Sequence, residues 1–437
     1  MAVSVRLLHT SDVHLEWLFE GFPEDARRRR RAEVAGALAR VVDLAIEHRV
    51  GGLLVSGDLF HGDAPSLSAR AEVSAQFSRL DRAGVPVLVI PGNHDRVTGR
   101  SPYRLPRFPA NVHVFSGEGW SARELPGGVR VYGLPYRSQD AGRRVLEGFS
   151  AHRQRLDRER EATGQPSCAF RVGMVHGSLW GLSFGPDAHC PIQPEDIESS
   201  GLDYLALGHY HDFQDCSRGP TKASYPGAPA RLTFANLSPR RAVLVELGDG
   251  PARLRPLELA DREYRVLEWD LSRRGLEGLY EELAAGADPE VALKVVLQGW
   301  PAEPLAAFGE AGGAAAGGVA GEEALGMGGG SAGEAPAAGS AGAEGGAAVG
   351  TWPGTGAASA FDPRTSLDRF RSSYFHLEVV DRTAPAVAVE AGDRTVRGLF
   401  ISRVQERLAR AENPEEAAVL RRALVLGLEA LAGRRPG

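Results

Sequence analysis

Five short apolar runs in the first half of the chain are each followed at once by aspartate, asparagine or histidine, and this pattern limits the fold more than any other feature. Residues 5–8 lead into His9-Thr10-Ser11-Asp12-Val13-His14, and residues 53–56 into Gly57-Asp58-Leu59-Phe60-His61. Residues 87–90 lead into Gly92-Asn93-His94-Asp95, residues 172–175 into His176-Gly177, and residues 204–207 into Gly208-His209-Tyr210-His211. An apolar run of roughly 4–8 residues closed by turn residues reads as a buried strand. Helical segments separate the runs, so the alternation predicts an α/β sheet sandwich over residues 5 to 250. The strand candidates are 5–8, 52–56, 85–90, 129–134, 171–175, 204–207 and 242–247, and 24–49 reads as a long helix. In open α/β sheets, ligands bind beyond the carboxyl ends of the strands. Five such ends can therefore converge on one spot.

The residue types say what would sit there. Aspartate, asparagine and histidine without cysteine favour manganese, iron or zinc in mixed oxygen and nitrogen coordination. An aspartate able to bridge, with enough further ligands for two ions, suits a metal pair about 3.5–4 Å apart. A lone Asp-x-His or His-x-His is usually structural. Five ligand blocks in this order, each ending a strand, are hard to explain that way.

The formal net charge of −6 argues against a protein that coats nucleic acid electrostatically, although a local basic track remains open. Only Lys222 and Lys294 are lysines among the 50 basic residues, which reads as coding bias. The five-arginine run 27–31 reads most simply as a solvated face of the long helix, with a phosphate-contacting role as the alternative. Three scattered cysteines exclude a disulfide framework or a zinc ribbon and fit a reducing cytoplasm. The N-terminus shows no signal pattern, and no run is apolar enough to span a membrane. The expectation is a soluble, cytoplasmic protein without a membrane partner.

Beyond residue 250, strands are expected at 264–269, 292–298 and 374–380 and a helix at 276–285, as in a small α+β domain. The intervening stretch, about 303–360, is dominated by glycine and alanine. Such a composition buries too little apolar surface to offset its ordering entropy, so it reads as a disordered insertion. The tail 395–433 reads as a helical hairpin. Val396, Leu399, Phe400, Val404 and Leu408 recur at helical spacing, and Asn413-Pro414-Glu415-Glu416 carries a helix-start signature.

With D-x-H, G-D, G-N-H-D, H-G and G-H-x-H all intact, residues 5–250 resemble the calcineurin-like metallophosphoesterase superfamily. The resemblance implies a metallophosphoesterase β-sandwich flanked by helices, then a small α+β capping domain and a C-terminal helical hairpin. On that basis the domains run 1–250, 251–392 and 393–437. It implies a first metal on Asp12, His14, Asp58 and His211, and a second on Asp58, Asn93, His176 and His209. His94 would be the general acid, or a transition-state donor, toward the leaving oxygen, and Asp95 would orient a loop or a ligand.

His-Thr-Ser-Asp-x-His, Gly-Asp-Leu-Phe-His with Pro65-Ser66, and Tyr225-Pro226-Gly227-Ala228-Pro229-x-Arg231 are similar to the SbcD and YhaO type of DNA repair nuclease subunit. Val13 stands where SbcD proteins usually carry tryptophan, and Ser66-Leu67-Ser68-Ala69 is nearer YhaO. That likeness implies a manganese-dependent 3′-5′ DNA exonuclease acting on DNA ends, with endonuclease activity also open and with His61 aiding exonuclease action. It also implies an SMC-like, SbcC-type ATPase partner, and it is compatible with a homodimer. The tail hairpin would dock the ATPase or pack on the capping domain. A phosphodiesterase or phosphomonoesterase for small substrates, and a DNA-end-binding scaffold with little turnover, are the alternatives. His48, His113, His152, His189 and His376 lie outside every ligand block and read as surface or core, and His9 as support for the first loop. Trp17 and Phe19 either stack on a base or pack over the site.

Replacing residues 309–356 by a short Gly/Ser linker should leave melting temperature and activity nearly unchanged. A large loss of either would show that the insertion has a structural or functional role.

Overall fold

The computed structural model describes residues 4–98, 101–103, 108–164, 167–181, 189–299, 366–383 and 395–408, with scattered positions from 410 to 431. The Gly/Ala-rich stretch 303–360 and most of the expected second tail helix lie outside the described residues.

The apolar runs do form strands: β1 Val5–Thr10, β2 Leu53–Ser56, β3 Val87–Ile90, β6 Val129–Gly133, β7 Phe170–His176, β8 Tyr204–Gly208 and β11 Arg240–Gly248. Strands that the apolar pattern does not announce complete two sheets. These are β4 Val112–Val114, β5 Ser121–Leu125, β9 Gln214–Asp215, β10 Lys222–Tyr225 and β12 Gly250–Leu259. The first six-stranded sheet has the order β12-β11-β1-β2-β3-β4, and the second β5-β6-β7-β8-β10-β9. In the first, β1, β2, β3 and β4 run parallel. In the second, β6, β7, β8 and β10 do. Antiparallel strands border each parallel block.

The period-2 alternation of a strand assigns each face its own core. Val5 and Leu7 of β1 pack with Leu54, Leu88, Val129, Val172 and Val243 in the core between the sheets. Leu8 turns the other way, onto Val34, Leu38 and Val41 of α1 (Glu24–Glu47) and Val73 and Phe77 of α2 (Leu67–Arg82). Tyr132, Val175 and Leu207 of the second sheet face a further cluster with Phe149 of α3 (Phe149–Glu161) and Ile197 of α4 (Pro194–Glu198). The layers are thus helix, sheet, sheet, helix. The central parallel strands β1 to β3 and β6 to β8 are almost entirely buried on both faces, as parallel pairing favours.

Two compact units divide the chain, one of residues 1–267, 286–295 and 370–378, the other of 268–285, 296–369 and 379–437. The expected strands at 264–269, 292–298 and 374–380 appear as β13 Tyr264–Asp270, β14 Asp288–Gln298 and β15 Tyr374–Asp381, which pair in that order as a three-stranded sheet. The helix α5, Leu271–Ala285, is broken at Gly275, whose φ of 67° is left-handed, so its regular part begins where the sequence pattern begins it. In the second unit, α6 (Val396–Leu408) contributes Ile401 and Val404 to a small cluster with Leu424. No helix among the described residues is long and apolar enough to cross a membrane.

The arginine run needs a correction. In α1 the buried stripe runs Ala26, Arg30, Val34, Leu38, Val41 and Ala45, so helical phase carries Arg30 inward while Arg28 and Arg29 stay exposed. Arg30 is fully buried. It pairs with Glu33 and with Asp261 at 3.4 Å, and donates to the carbonyl of Arg231. Arg262 joins the same network through Glu33 and Glu290.

Removing one partner of a buried ion pair leaves an uncompensated charge, at a cost of about 3–5 kcal/mol. Arg30→Ala should therefore lower unfolding free energy in denaturant titration by that order, whereas Arg28→Ala on the exposed face should change it by less than about 0.5 kcal/mol. Equal effects would mean that the run is a solvated face throughout.

Candidate metal centre

The loops after β1, β2, β3, β7 and β8 meet at the carboxyl ends of the two sheets' parallel blocks, all within the larger unit. The backbone there departs from ordinary conformations. Asp12, His14, Asp58 and His209 all have positive φ (55°, 50°, 52° and 116°), a region that side-chain-bearing residues rarely adopt. Such residues cost of order 1–3 kcal/mol each and gather at functional sites. Backbone pairing holds them: Asp12 N–H donates to Gly57 O at 3.0 Å and His14 N–H to Asp58 O at 2.9 Å.

Two motif glycines are needed for close approach. A Cβ on Gly92 would lie 2.2 Å from Asp58 Oδ1, and one on Gly208 would lie 1.8 Å from the carbonyl oxygen of Ser56. The first and second sheets could not bring their ligand loops this near with any larger residue.

Asp58 is at the centre. Its Oδ1 accepts from the backbone N–H of His94 at 2.9 Å. Its Oδ2 lies 3.6 Å from His14 Nε2 and 3.4 Å from His176 Nε2. On one side of it, His14 Nε2 and His211 Nε2 face each other at 3.1 Å, and Asp12 joins these two histidines as a possible three-ligand set. On the other, Asn93 Oδ1 lies 2.8 Å from His176 Nε2 and 3.2 Å from His209 Nδ1. Asp12 accepts from the His209 backbone N–H at 3.0 Å, which ties the two sides together. His61 Nδ1 is 3.3 Å from His14 Nδ1, and the His61 ring stacks on His94 at 5.0 Å. All nine residues singled out in the sequence therefore share one cluster.

The donor set fits a pair of divalent cations. Burial holds His14 well below the usual imidazole range, and holds His209 near about 3 and His211 near about 4, each assisted by neighbouring histidines. Neutral imidazole, with its lone pair free, is the form a cation needs. Burial would raise Asp58, but His176, His14 and His94 around it outweigh burial and keep it ionised. His176 faces acceptors on both nitrogens: the Ser56 carbonyl at 2.9 Å from Nδ1, and Asp58 and Asn93 at Nε2. Burial disfavours its charge, yet Asp58 prevails and lifts it to about 9. Burial, with Asp58 adding, lifts Asp12 to about 7 against the pull of His176. A cation at this centre competes with those two protons.

Around the ligands, Asp95 is buried and accepts from Gly92 N at 2.7 Å and Phe60 N at 3.1 Å, so it links the loops after β2 and β3. His9 packs inward with Nδ1 2.7 Å from the Tyr204 hydroxyl, in keeping with a supporting role. Phe19 is core beneath Arg30, whereas Trp17 is half-buried with its ring 4.3 Å from that of His61. His376 is core, stacked on Phe22 at 3.8 Å. His189, half-buried, stands beside the cluster. Its ring lies 5.3 Å from that of His209, and its Nδ1 2.9 Å from the Tyr136 hydroxyl. In the sequence no apolar run leads into His189, so the signal that exposes the ligand candidates is missing there.

Comparison with known proteins bears on the same loops. Residues 5–213 match the family described as calcineurin-like phosphoesterase. The uncharacterised metallophosphoesterase YhaO of Bacillus subtilis is 34% identical over 234 residues, 52% of this chain and 53% of that protein. The DNA double-strand break repair protein Mre11 of Haloferax volcanii is 29% identical over 282 residues, 63% of this chain and 56% of that protein. A subunit of the nuclease SbcCD of Bacillus subtilis is 26% identical over 313 residues, 67% of this chain and 76% of that protein. The chain thus spans little more than half the length of the first two relatives.

Metal binding should release protons, because ligands must deprotonate to coordinate. Affinity for a divalent ion should therefore climb as pH rises through the window set by Asp12 at about 7 and His176 at about 9. Competition against a fluorescent chelator at stepped pH measures this. An affinity independent of pH across that window contradicts the proton competition.

Proposed function

We propose that this chain, whose residues 5–213 form a calcineurin-like phosphoesterase domain, is a dinuclear-metal phosphodiesterase that acts on DNA. The observation that carries the proposal is Asp58: one buried carboxylate within 3.6 Å of His14 Nε2 and 3.4 Å of His176 Nε2, one histidine from each half of the cluster. Asp12, His14 and His211 would hold one ion together with Asp58, and Asn93, His176 and His209 would hold the other with it. The oxygen and nitrogen donors, free of thiolate, suit Mn2+. When bound, such ions offset phosphoryl charge and lower the pKa of water.

The chain's own residues do the rest. His94 is not buried and is held by its backbone N–H on Asp58, so its imidazole can give a proton to the leaving oxygen. His61 stacks on His94 and is backed by Trp17, which makes it a positioning residue for that donor. Asp95 locks the loop that carries Asn93 and His94. DNA as substrate draws support from two relatives, one named a DNA double-strand break repair protein and the other a nuclease subunit. By the same likeness, the chain works on DNA ends with an SMC-like ATPase partner.

Two substitutions separate binding from chemistry. His94→Ala should keep metal occupancy and DNA binding while turnover falls by about 10²–10⁴-fold, the usual weight of a general acid. Asp58→Ala should lose metal outright, as read by elemental analysis after dialysis. Equal metal loss in both variants removes the roles assigned to His94 and Asp58, and full activity of the wild type in excess EDTA removes the two-metal reading itself.

A further inference from the structure

Beside the candidate metal centre, and wholly within the larger unit, lies a cavity of about 610 Å³. That is the size range of small-molecule sites. Its walls include His61, which also belongs to the donor cluster, and Trp17, whose ring packs on His61. The cavity therefore continues directly from the place where a phosphate would be held. Trp17 and Phe234 are both half-buried and present aromatic surface to it.

The charged groups on its walls are Glu20, Glu378 and Lys294, the last two paired at 2.7 Å. The sum is one negative charge. A second phosphate is repelled from such a pocket, so it does not track a nucleic-acid backbone. A planar neutral ring with N–H groups on its edge fits it better. Aromatic walls offer the ring a stacking surface, and carboxylates accept from its edge. Lys294 Nζ lies 5.7 Å from the Phe234 centroid and supplies one donor at the same wall.

We propose that this cavity is a base-binding subsite, in which Trp17 and Phe234 stack the nucleobase of the nucleotide whose phosphate occupies the metal centre. The proposal rests on the phosphodiesterase reading and adds the moiety that the site selects. Stacking of a base on an aromatic side chain is commonly worth a factor of about 5 to 100 in affinity. Because every base has a π face, the subsite prefers nucleotides to other phosphate esters without choosing strongly among bases.

The test compares inhibition constants for thymidine 3′-monophosphate, thymidine 5′-monophosphate and inorganic phosphate. Each competes against hydrolysis of bis(4-nitrophenyl) phosphate by the Mn2+-loaded full chain. At least one thymidine monophosphate should inhibit about 5- to 100-fold more tightly than phosphate, and which isomer does so reports the side of the phosphate on which the base lies. Phe234→Leu, which keeps apolar volume and loses the ring face, should collapse that ratio, and Phe234→Tyr should restore it. Equal constants for nucleotide and phosphate in the wild type overturn the subsite, as does an unchanged ratio in Phe234→Leu. Should Phe234→Leu fail to fold, Trp17→Leu, at a half-buried wall residue, is held to the same two outcomes. Absence of any hydrolysis by the wild type instead sinks the phosphodiesterase reading. Calorimetric binding of the thymidine monophosphates against phosphate then decides the cavity separately.

Discussion

One buried carboxylate governs this structure. Asp58 is almost wholly out of water, and an ionised carboxylate there is tolerable only if charge and hydrogen bonds surround it. The chain supplies them from three loops: the His94 N–H, the His14 and His176 imidazoles, and the tight approach of Gly92 that lets the β3 loop reach it. These groups come from both sheets, so the sandwich has to close with the carboxyl ends of its parallel blocks in register. The inter-sheet core of Leu7, Leu54, Leu88, Val129, Val172 and Val243 fixes that register. Packing energy from the core thus holds polar groups in an arrangement they would not adopt alone.

The strain follows from the same demand. Asp12, His14, Asp58 and His209 sit at positive φ because a strand that ends must turn its next side chains back over the sheet edge within a residue or two. Parallel pairing continues just past the strands, through the Asp12 and His14 N–H bonds and the isolated bridge between Leu15 and Phe60, and this absorbs the cost. The loops after β1 and β2 are therefore pre-set rather than adaptable. Pre-set ligands suit a metal pair, since ordering them at the moment of binding would subtract from affinity.

How much of this was legible in the sequence depends on whether a residue's neighbours in the chain are also its neighbours in space. The five ligand loops were readable because strand and ligand are contiguous, so an apolar run followed by Gly-Asp or Gly-Asn-His carries its own geometry. The long helix was readable in extent, but the role of Arg30 was not, because five consecutive arginines mask a stripe that only helical phase and the distant Asp261 and Glu33 reveal. His189 lies near His209 and Tyr136, but no apolar run leads into it in the sequence, so nothing local marks that proximity. The edge strands β5 and β9 are polar and short, and β12 is largely exposed, so no hydrophobic pattern marks them. The cavity walls come from residues 17–20, 22, 61, 232–235, 264, 266, 294 and 378, which no single local motif could join.

The electrostatics of the larger unit bear on how a polyanion could be held. The arginines of α1 that stand nearest in sequence to the first ligand loop are largely spent on internal partners. Arg27 pairs with Glu24 at 2.7 Å, Arg29 with Glu290 at 3.3 Å, Arg30 with Glu33 and Asp261, and Arg31 donates to the Trp17 carbonyl at 3.3 Å. A guanidinium already matched to a carboxylate adds little to phosphate binding, because the field it presents is cancelled nearby. With a net charge of −6 on the whole chain, the attraction for a phosphodiester is therefore concentrated at the ligand cluster, where metal ions would be the largest local positive charge. Recognition built on one phosphate and its attached ring differs in kind from recognition along a duplex groove: it depends weakly on salt beyond that single contact and strongly on the shape of what hangs from the phosphate. On the proposed reading, hold on long DNA would come from surfaces outside the ligand cluster, whether the chain's own or a partner's, while the chemistry and the choice of scissile ester would stay local to Asp58 and the cavity beside it.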